Sequence, residues 1–234
     1  MRALIKIFFL IFSTVVLYSG CGKCNALDEP SKPGEKPQPE EKTYSVGDYY
    51  AKGFVKGIVV STDDKGEHGM LVSLKEYDAA WSYRHDNVMD GQPSDGKYNT
   101  SLVQSIDGWK EYYPAFEKAT SANVGSLKDW FLPSASEIAS LYAAYTGEAP
   151  NESTGEELDS YNKETSVGAS RKEWFNKCLT DNGGVAISDA IYWTSCEVGP
   201  SIAYAFDMAS GKVLDVPSNM DKGKVYKVRA MASF

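Results

Sequence analysis

The sequence predicts an α+β domain built on an antiparallel sheet with two or three helices. Three observations carry this reading. Gly57-Ile-Val-Val and Met70-Leu-Val-Ser-Leu flank a polar turn from Asp63 to Gly69, the pattern of a β-hairpin. Ser134 stands three residues before Glu137, and Ile138, Leu141, Tyr142 and Tyr145 recur at helical spacing until Gly147, which predicts a capped helix with one apolar face. Three β-rich runs follow, Ala190-Ile-Tyr-Trp-Thr-Ser, Ile202-Ala-Tyr-Ala-Phe and Lys224-Val-Tyr-Lys-Val-Arg-Ala-Met, without the alternation of strands and helices that a parallel sheet requires.

Taken in order, residues 1–20 carry Arg2 and Lys6, an uncharged run from Ile7 to Tyr18, and Ser19-Gly20 just before Cys21. That is the layout of a bacterial lipoprotein signal, with Cys21 as the lipidated residue. The apolar run is shorter than the helix of about 20 residues that a hydrocarbon layer of roughly 30 Å needs. One departure is Tyr18, three before the cysteine, where such signals usually carry the leucine found here at Leu17. Residues 21–42 form the anchor and a spacer in which Pro30, Pro33, Pro37 and Pro39 stand among charges, a composition that cannot bury enough surface to fold. Residues 43–234 are long enough for one globular domain.

Within it, the hairpin is followed by a polar, turn-rich stretch from Tyr83 to Tyr98 that reads as a surface loop. Helices are expected from about Thr100 to Ile106 and from Pro114 to Ala122, Pro114 suiting a first helical turn. The capped helix comes next, then an acidic irregular stretch from Ala149 to Thr165. A short helix from Arg171 to Leu179 is expected to carry Trp174 and Phe175 inward. Gly199-Pro200, Ser210-Gly211 and Lys222-Gly223 mark the turns between the late strands.

Charge and cysteine usage exclude several functions. The chain has a formal charge of −8, and loss of Arg2 and Lys6 with the leader takes it to −10. Such a surface repels nucleic acid and anionic head groups, so no nucleic-acid partner is expected, and membrane contact should come from the lipid alone. Of the four cysteines, Cys178 and Cys196 fall in the folded part, where an oxidising envelope leaves either a disulfide between them or two buried thiols. Two histidines, His68 and His85, are too few for a zinc site of ordinary spacing; the acidic charge allows calcium but no ligand spacing supports it, and no metal site or cofactor is assigned.

Three patterns in sequence, Asp129-Trp-Phe-Leu-Pro-Ser-Ala-Ser-Glu-Ile, Tyr192-Trp-Thr-Ser-Cys-Glu and Val228-Arg-Ala-Met-Ala-Ser-Phe, resemble the signatures of the domain of unknown function 1566. That family includes the C-terminal domain of the Legionella collagen-like protein and many Bacteroidetes surface lipoproteins. Gly57-Ile-Val-Val, His68-Gly-Met-Leu-Val-Ser, Ala80-Trp81, Asn99-Thr100 and Pro114-Ala115 extend the resemblance from about Tyr44 to the last residue. It implies a C-type-lectin-like fold, shared with the formylglycine-generating enzyme and phage tropism determinants. Physical chemistry gives the motif residues structural tasks of their own. Trp130 and Leu132 should fill the core, Pro133 should stop the preceding strand, and Ser134 with Glu137 should cap the helix. Tyr192 and Trp193 read as sheet aromatics, and Arg229 should hold a carboxylate such as Glu137 or Glu197.

The function expected is recognition: a tethered, lectin-like domain binding a glycan or protein ligand, at the cell surface or on the periplasmic face of the outer membrane. Stacking aromatics and amide or acidic side chains are what sugar recognition needs, and Trp81, Tyr83, Asp86, Asn87 and Trp109 supply them in or near the loops. Each also has a structural reading, the tryptophans as core and the polar pair as turn residues. The alternative is a structural or assembly accessory of an outer-membrane or fimbrial complex. An enzyme is not expected. Cys178 and Cys196 fall in no recognisable version of the formylglycine-generating site, and there is no G-x-S-x-G.

Overall fold

The end of the sequence is shared between two sheets. In the computed structural model, which describes residues 42–89, 95–122, 130–148 and 166–234, the run read as one strand from Lys224 to Met231 divides. Its first part is β8 (Val225–Val228), and β9 (Met231–Ser233) follows after a corner at Arg229 and Ala230. The other strands are β1 (Tyr49–Lys52), β2 (Val55–Thr62), β3 (Gly69–Ser73), β4 (Tyr77–Ala80), β5 (Ile191–Gly199), β6 (Ile202–Asp207) and β7 (Lys212–Val213). One sheet has the order β1-β2-β3-β9 and the other β4-β8-β5-β6-β7. All pairings are antiparallel except β5 with β8, which meet in parallel at Tyr192 and Lys227. The expected α+β class holds, with two sheets in place of one and one of them mixed.

The β2–β3 hairpin forms where the sequence places it, with Ile58 opposite Val72 and Val59 opposite Leu71. Ile58, Val59 and Val60 are all buried because β2 has a core on each face. Val59 and Leu71 join Trp81, Trp130, Leu132 and Trp193 in one cluster, while Ile58, Val60 and Val72 join Ile138, Leu141, Phe175 and Tyr192 in the other. A strand covered on both faces reads as a continuous apolar run, which is what Ile-Val-Val is. Gly57 is required beside it: a Cβ there would lie 2.5 Å from the Val72 carbonyl oxygen.

Five α-helices lie among the described residues, more than the two or three expected: α1 (Gly96–Gln104), α2 (Trp109–Tyr112), α3 (Pro114–Thr120), α4 (Ala135–Thr146) and α5 (Ser166–Asp181). The first starts earlier than Thr100, because the Asp95 side chain accepts from the Tyr98 amide and caps it. The single turn of α2 lies between the two helices expected from the sequence. The expected capping box of α4 is present in both directions, and Gly147 ends that helix at φ 78°. Phe175 on α5 is buried, but Trp174 is 39% exposed, its ring against Gly47 and the Arg171 guanidinium 4.0 Å from its centre. Consecutive helical residues point about 100° apart, so one inward-facing stripe cannot take both rings.

Residues 1–41, which hold the expected leader, Cys21 and nearly all of the spacer, lie outside the described residues, as do Asp129 and the acidic stretch from 149 to 165. Among the described residues no helix is long and apolar enough to cross a membrane.

Candidate functional site

Where β4 ends, the chain runs from Trp81 to Met89 without regular structure, and every second or third residue of this loop is tied to something beneath it. Trp81 is fully buried, not a stacking platform for a ligand as its position in the sequence allows. Its indole N–H donates to the Thr194 carbonyl at 2.8 Å, and its ring meets Tyr113 and Phe116 edge-on at 6.1 and 5.0 Å. Asp86, whose side chain is 43% exposed, accepts from the Tyr113 hydroxyl at 2.9 Å and lies 3.9 Å from the Arg84 guanidinium. Burial, and then the Asp86 carboxylate, push the Tyr113 phenol well above its ordinary value.

The loop's far end rests on Glu197. Its Oε2 accepts from the amides of Val88 and Met89 at 2.8 and 2.7 Å, while its Oε1 contacts the Lys222 ammonium directly. Lys222 also donates to the carbonyls of Asp86 and Pro200, at 3.0 Å each, and lies 4.6 Å from the centre of the Trp81 ring. The two side chains are 0% and 2% exposed, so this is an ion pair taken out of water. Such a pair persists only when its remaining donors and acceptors are satisfied, and here they are. Its consequence is local rigidity, since two successive loop amides are fixed by one carboxylate oxygen.

What the clamped loop shows to solvent is Tyr83, 66% exposed, with His85 and Asn87 beside it. The His85 Nδ1 lies 3.0 Å from the Ser201 hydroxyl, and the Tyr83 amide donates to the Tyr112 carbonyl at 2.8 Å. Arg84 lays its guanidinium 3.9 Å from the centre of the Tyr112 ring. Trp109, the fifth residue expected to meet a ligand, is half-buried and packs on the core that holds Trp81. Of the five, Tyr83 and Asn87 are exposed, Asp86 is half-buried and bonded to Tyr113, and Trp81 and Trp109 are assigned to packing. Lys222 was missed. It sits between Asp221 and Gly223, a sequence context that reads as a solvated turn.

The motif residues are structural in placement. Trp130 and Leu132 are core, and the Pro133 carbonyl accepts from the Ser195 amide at 2.7 Å. Glu137 accepts from the Ser134 amide at 2.7 Å and the Gly96 amide at 3.1 Å, joining the starts of α4 and α1. Trp193 donates to the Ala79 carbonyl at 3.0 Å, and Tyr192 to the Glu76 carboxylate at 2.7 Å. Arg229 pairs with neither Glu137 nor Glu197. It donates to Glu76 at 3.4 Å and to the Val185 carbonyl, because Glu137 is committed to helix starts and Glu197 to Lys222.

Cys178 and Cys196 are free thiols, not a disulfide. Cys178 lies half-buried on α5, while Cys196 is buried on β5 with its sulfur accepting from the Ala135 amide at 3.3 Å. Burial raises the pKa of both, which disfavours the thiolate a nucleophile needs. Among the described residues no group of three His, Cys, Asp or Glu is placed to hold a metal.

Neither a family model nor a curated protein matches the chain. Among solved structures, the fold is similar to that of a fimbrial protein from Bacteroides ovatus ATCC 8483, at 16% sequence identity and a TM-score of 0.51. What the two share is a fold. The match covers 82% of this chain and 49% of the fimbrial protein, so the chain spans about half the length of that neighbour.

Proposed function

We propose that this chain is a lipid-tethered envelope protein serving as an accessory or structural component of a fimbrial or outer-membrane assembly. The observation that carries this reading is the likeness of its fold to the fimbrial protein of Bacteroides ovatus. Acylated Cys21 anchors it, and the proline-rich spacer holds the domain away from the membrane. The resemblance to the domain of unknown function 1566, with its C-type-lectin-like fold and Bacteroidetes surface lipoproteins, belongs to the same reading. The role is non-enzymatic, and a buried thiol at Cys196 with a half-buried one at Cys178 is in keeping with packing.

A second reading, adhesion to a glycan or protein ligand, is favoured by one feature. The loop from Tyr83 to Met89 is held by Glu197 and displays an aromatic ring, an imidazole and an amide. A loop ordered in advance binds without the cost of ordering it.

The test is made on intact cells producing the full chain, with a photo-crosslinking residue in place of Tyr83. External protease should digest the domain, the N-terminal fragment should carry acyl chains on Cys21, and crosslinks should reach components of sheared surface filaments. Crosslinking only to added host glycoprotein would favour the second reading. A domain protected from protease, with no filament component attached, would sink the first.

A further inference from the structure

Glu197 and Lys222 are arranged for more than an ion pair. Two opposite charges buried together carry a desolvation penalty, and a reaction that removes both charges removes that penalty. The reaction open to an amine and a carboxyl group in contact is condensation, and four details of the site serve it. The Lys222 nitrogen touches the Glu197 carboxylate directly. Both side chains are closed to solvent, at 0% and 2% exposure, so a released water is not replaced. Glu197 Oε2 carries two backbone N–H donors, from Val88 and Met89, which is how charge developing on a carbonyl oxygen is stabilised. The carbonyls of Asp86 and Pro200 each accept from the same nitrogen at 3.0 Å. A neutral amine has two N–H bonds, so donating both to these carbonyls turns its lone pair toward Glu197.

We propose that Lys222 and Glu197 become joined by a side-chain amide, formed by the folded chain itself. One proton passes from the ammonium to Glu197 Oε1, leaving an amine and a carboxylic acid. The amine lone pair attacks Glu197 Cδ, a C–N bond forms, and negative charge gathers on Oε2 between the two amide donors. A second proton moves from the nitrogen to the Oε1 hydroxyl, the Cδ–Oε1 bond breaks, and one water leaves. No oxidant, reductant or cofactor enters the balance. Burial lowers the Lys222 pKa against the opposing pull of Glu197, which eases the first proton transfer. The bond would tie the end of β5 to the turn before β8 and close β6 and β7 within a covalent loop.

The experiment is peptide mass analysis of the full chain after denaturation and digestion. The expected result is a branched peptide joining the segment that contains Glu197 to the segment that contains Lys222, lighter by one water than its two parts. Glu197→Gln should give the same branch with loss of ammonia in place of water, and Lys222→Arg should give none. Recovery of both segments as separate peptides from the unaltered chain, with Lys222 open to an amine reagent once unfolded, overturns the proposal whether or not either variant folds. A branch between any other pair overturns it equally.

Discussion

Arg229 and Glu76 meet at the corner where the chain leaves one sheet for the other, the guanidinium fully buried and 3.4 Å from a carboxylate that also accepts from Tyr192. The pairing of β8 with β4 stops at Val228, just before Arg229, and Met231 begins the pairing with β3. The cation therefore stands at the seam of the fold. Burial lowers the Arg229 pKa while Glu76 opposes it, so removing the carboxylate leaves a charge with no counterpart. Glu76→Gln is expected to destabilise the domain by about 3–5 kcal/mol, read as a shift in the urea midpoint at constant slope. A change of under about 1 kcal/mol would show that Val185 alone holds the guanidinium, since a pair contributing that little behaves as an exposed one.

Trp81 and Tyr83 should separate cleanly. Trp81→Ala is expected to cost about 3–5 kcal/mol, since it empties a fully buried site, whereas Tyr83→Ala should stay within about 0.5 kcal/mol. Thermal melts of the two variants make the comparison. A large loss for Tyr83 would mean the exposed ring supports the loop and is no contact residue.

Glu137 gives a dependence on pH with a definite sign. Its pKa is raised by burial, against hydrogen bonds from Ser134 and Gly96 that lower it, so the folded state holds the proton more tightly than the unfolded chain does. This group's contribution is complete below its ordinary pKa near 4.5 and is lost as pH rises through the higher folded value. Glu137→Gln should flatten that part of the stability profile, measured by denaturant unfolding in steps across it. An unchanged slope in the variant would place the dependence elsewhere.

Ser134→Ala removes one half of the capping box and is expected to cost about 1 kcal/mol. Ser134→Asp should recover most of the loss, because a carboxylate oxygen can accept from the same amide. Failure of Asp to recover it would point to the contact between the Ser134 and Ser136 hydroxyls as the one that matters.

Thiol chemistry checks the cysteines. In the folded domain Cys196 should resist alkylation and Cys178 should react slowly, both becoming labelled on unfolding without prior reduction. A requirement for reductant before labelling would mean that the two are bonded after all.

The parts legible in the sequence are those written locally. The β2–β3 hairpin and the α4 capping box are set by residues a few positions apart, so pattern alone located them. The start of α1 was displaced because Asp95 lies in a polar stretch where a cap looks like any other turn residue. The partners of Arg229 and Glu197 were not legible at all: Glu76 is 153 positions from Arg229, and Lys222 is 25 from Glu197. Nothing in composition marks which lysine in a turn will be drawn inside. The residues expected to face a ligand divided for the same reason, since Trp81 and Tyr83 are two apart and only the packing of Tyr113 and Phe116 decides which ring is covered.

The division of the last strands has a bearing on how the chain is made. β9 closes the edge of β3 and comes after the other elements of the described residues. Until those few residues have been synthesised and delivered, β3 has an unfilled hydrogen-bonding edge, and Met231 is missing from its core. A chain that stalls short of β9 thus cannot complete its fold and offers a strand edge to its neighbours.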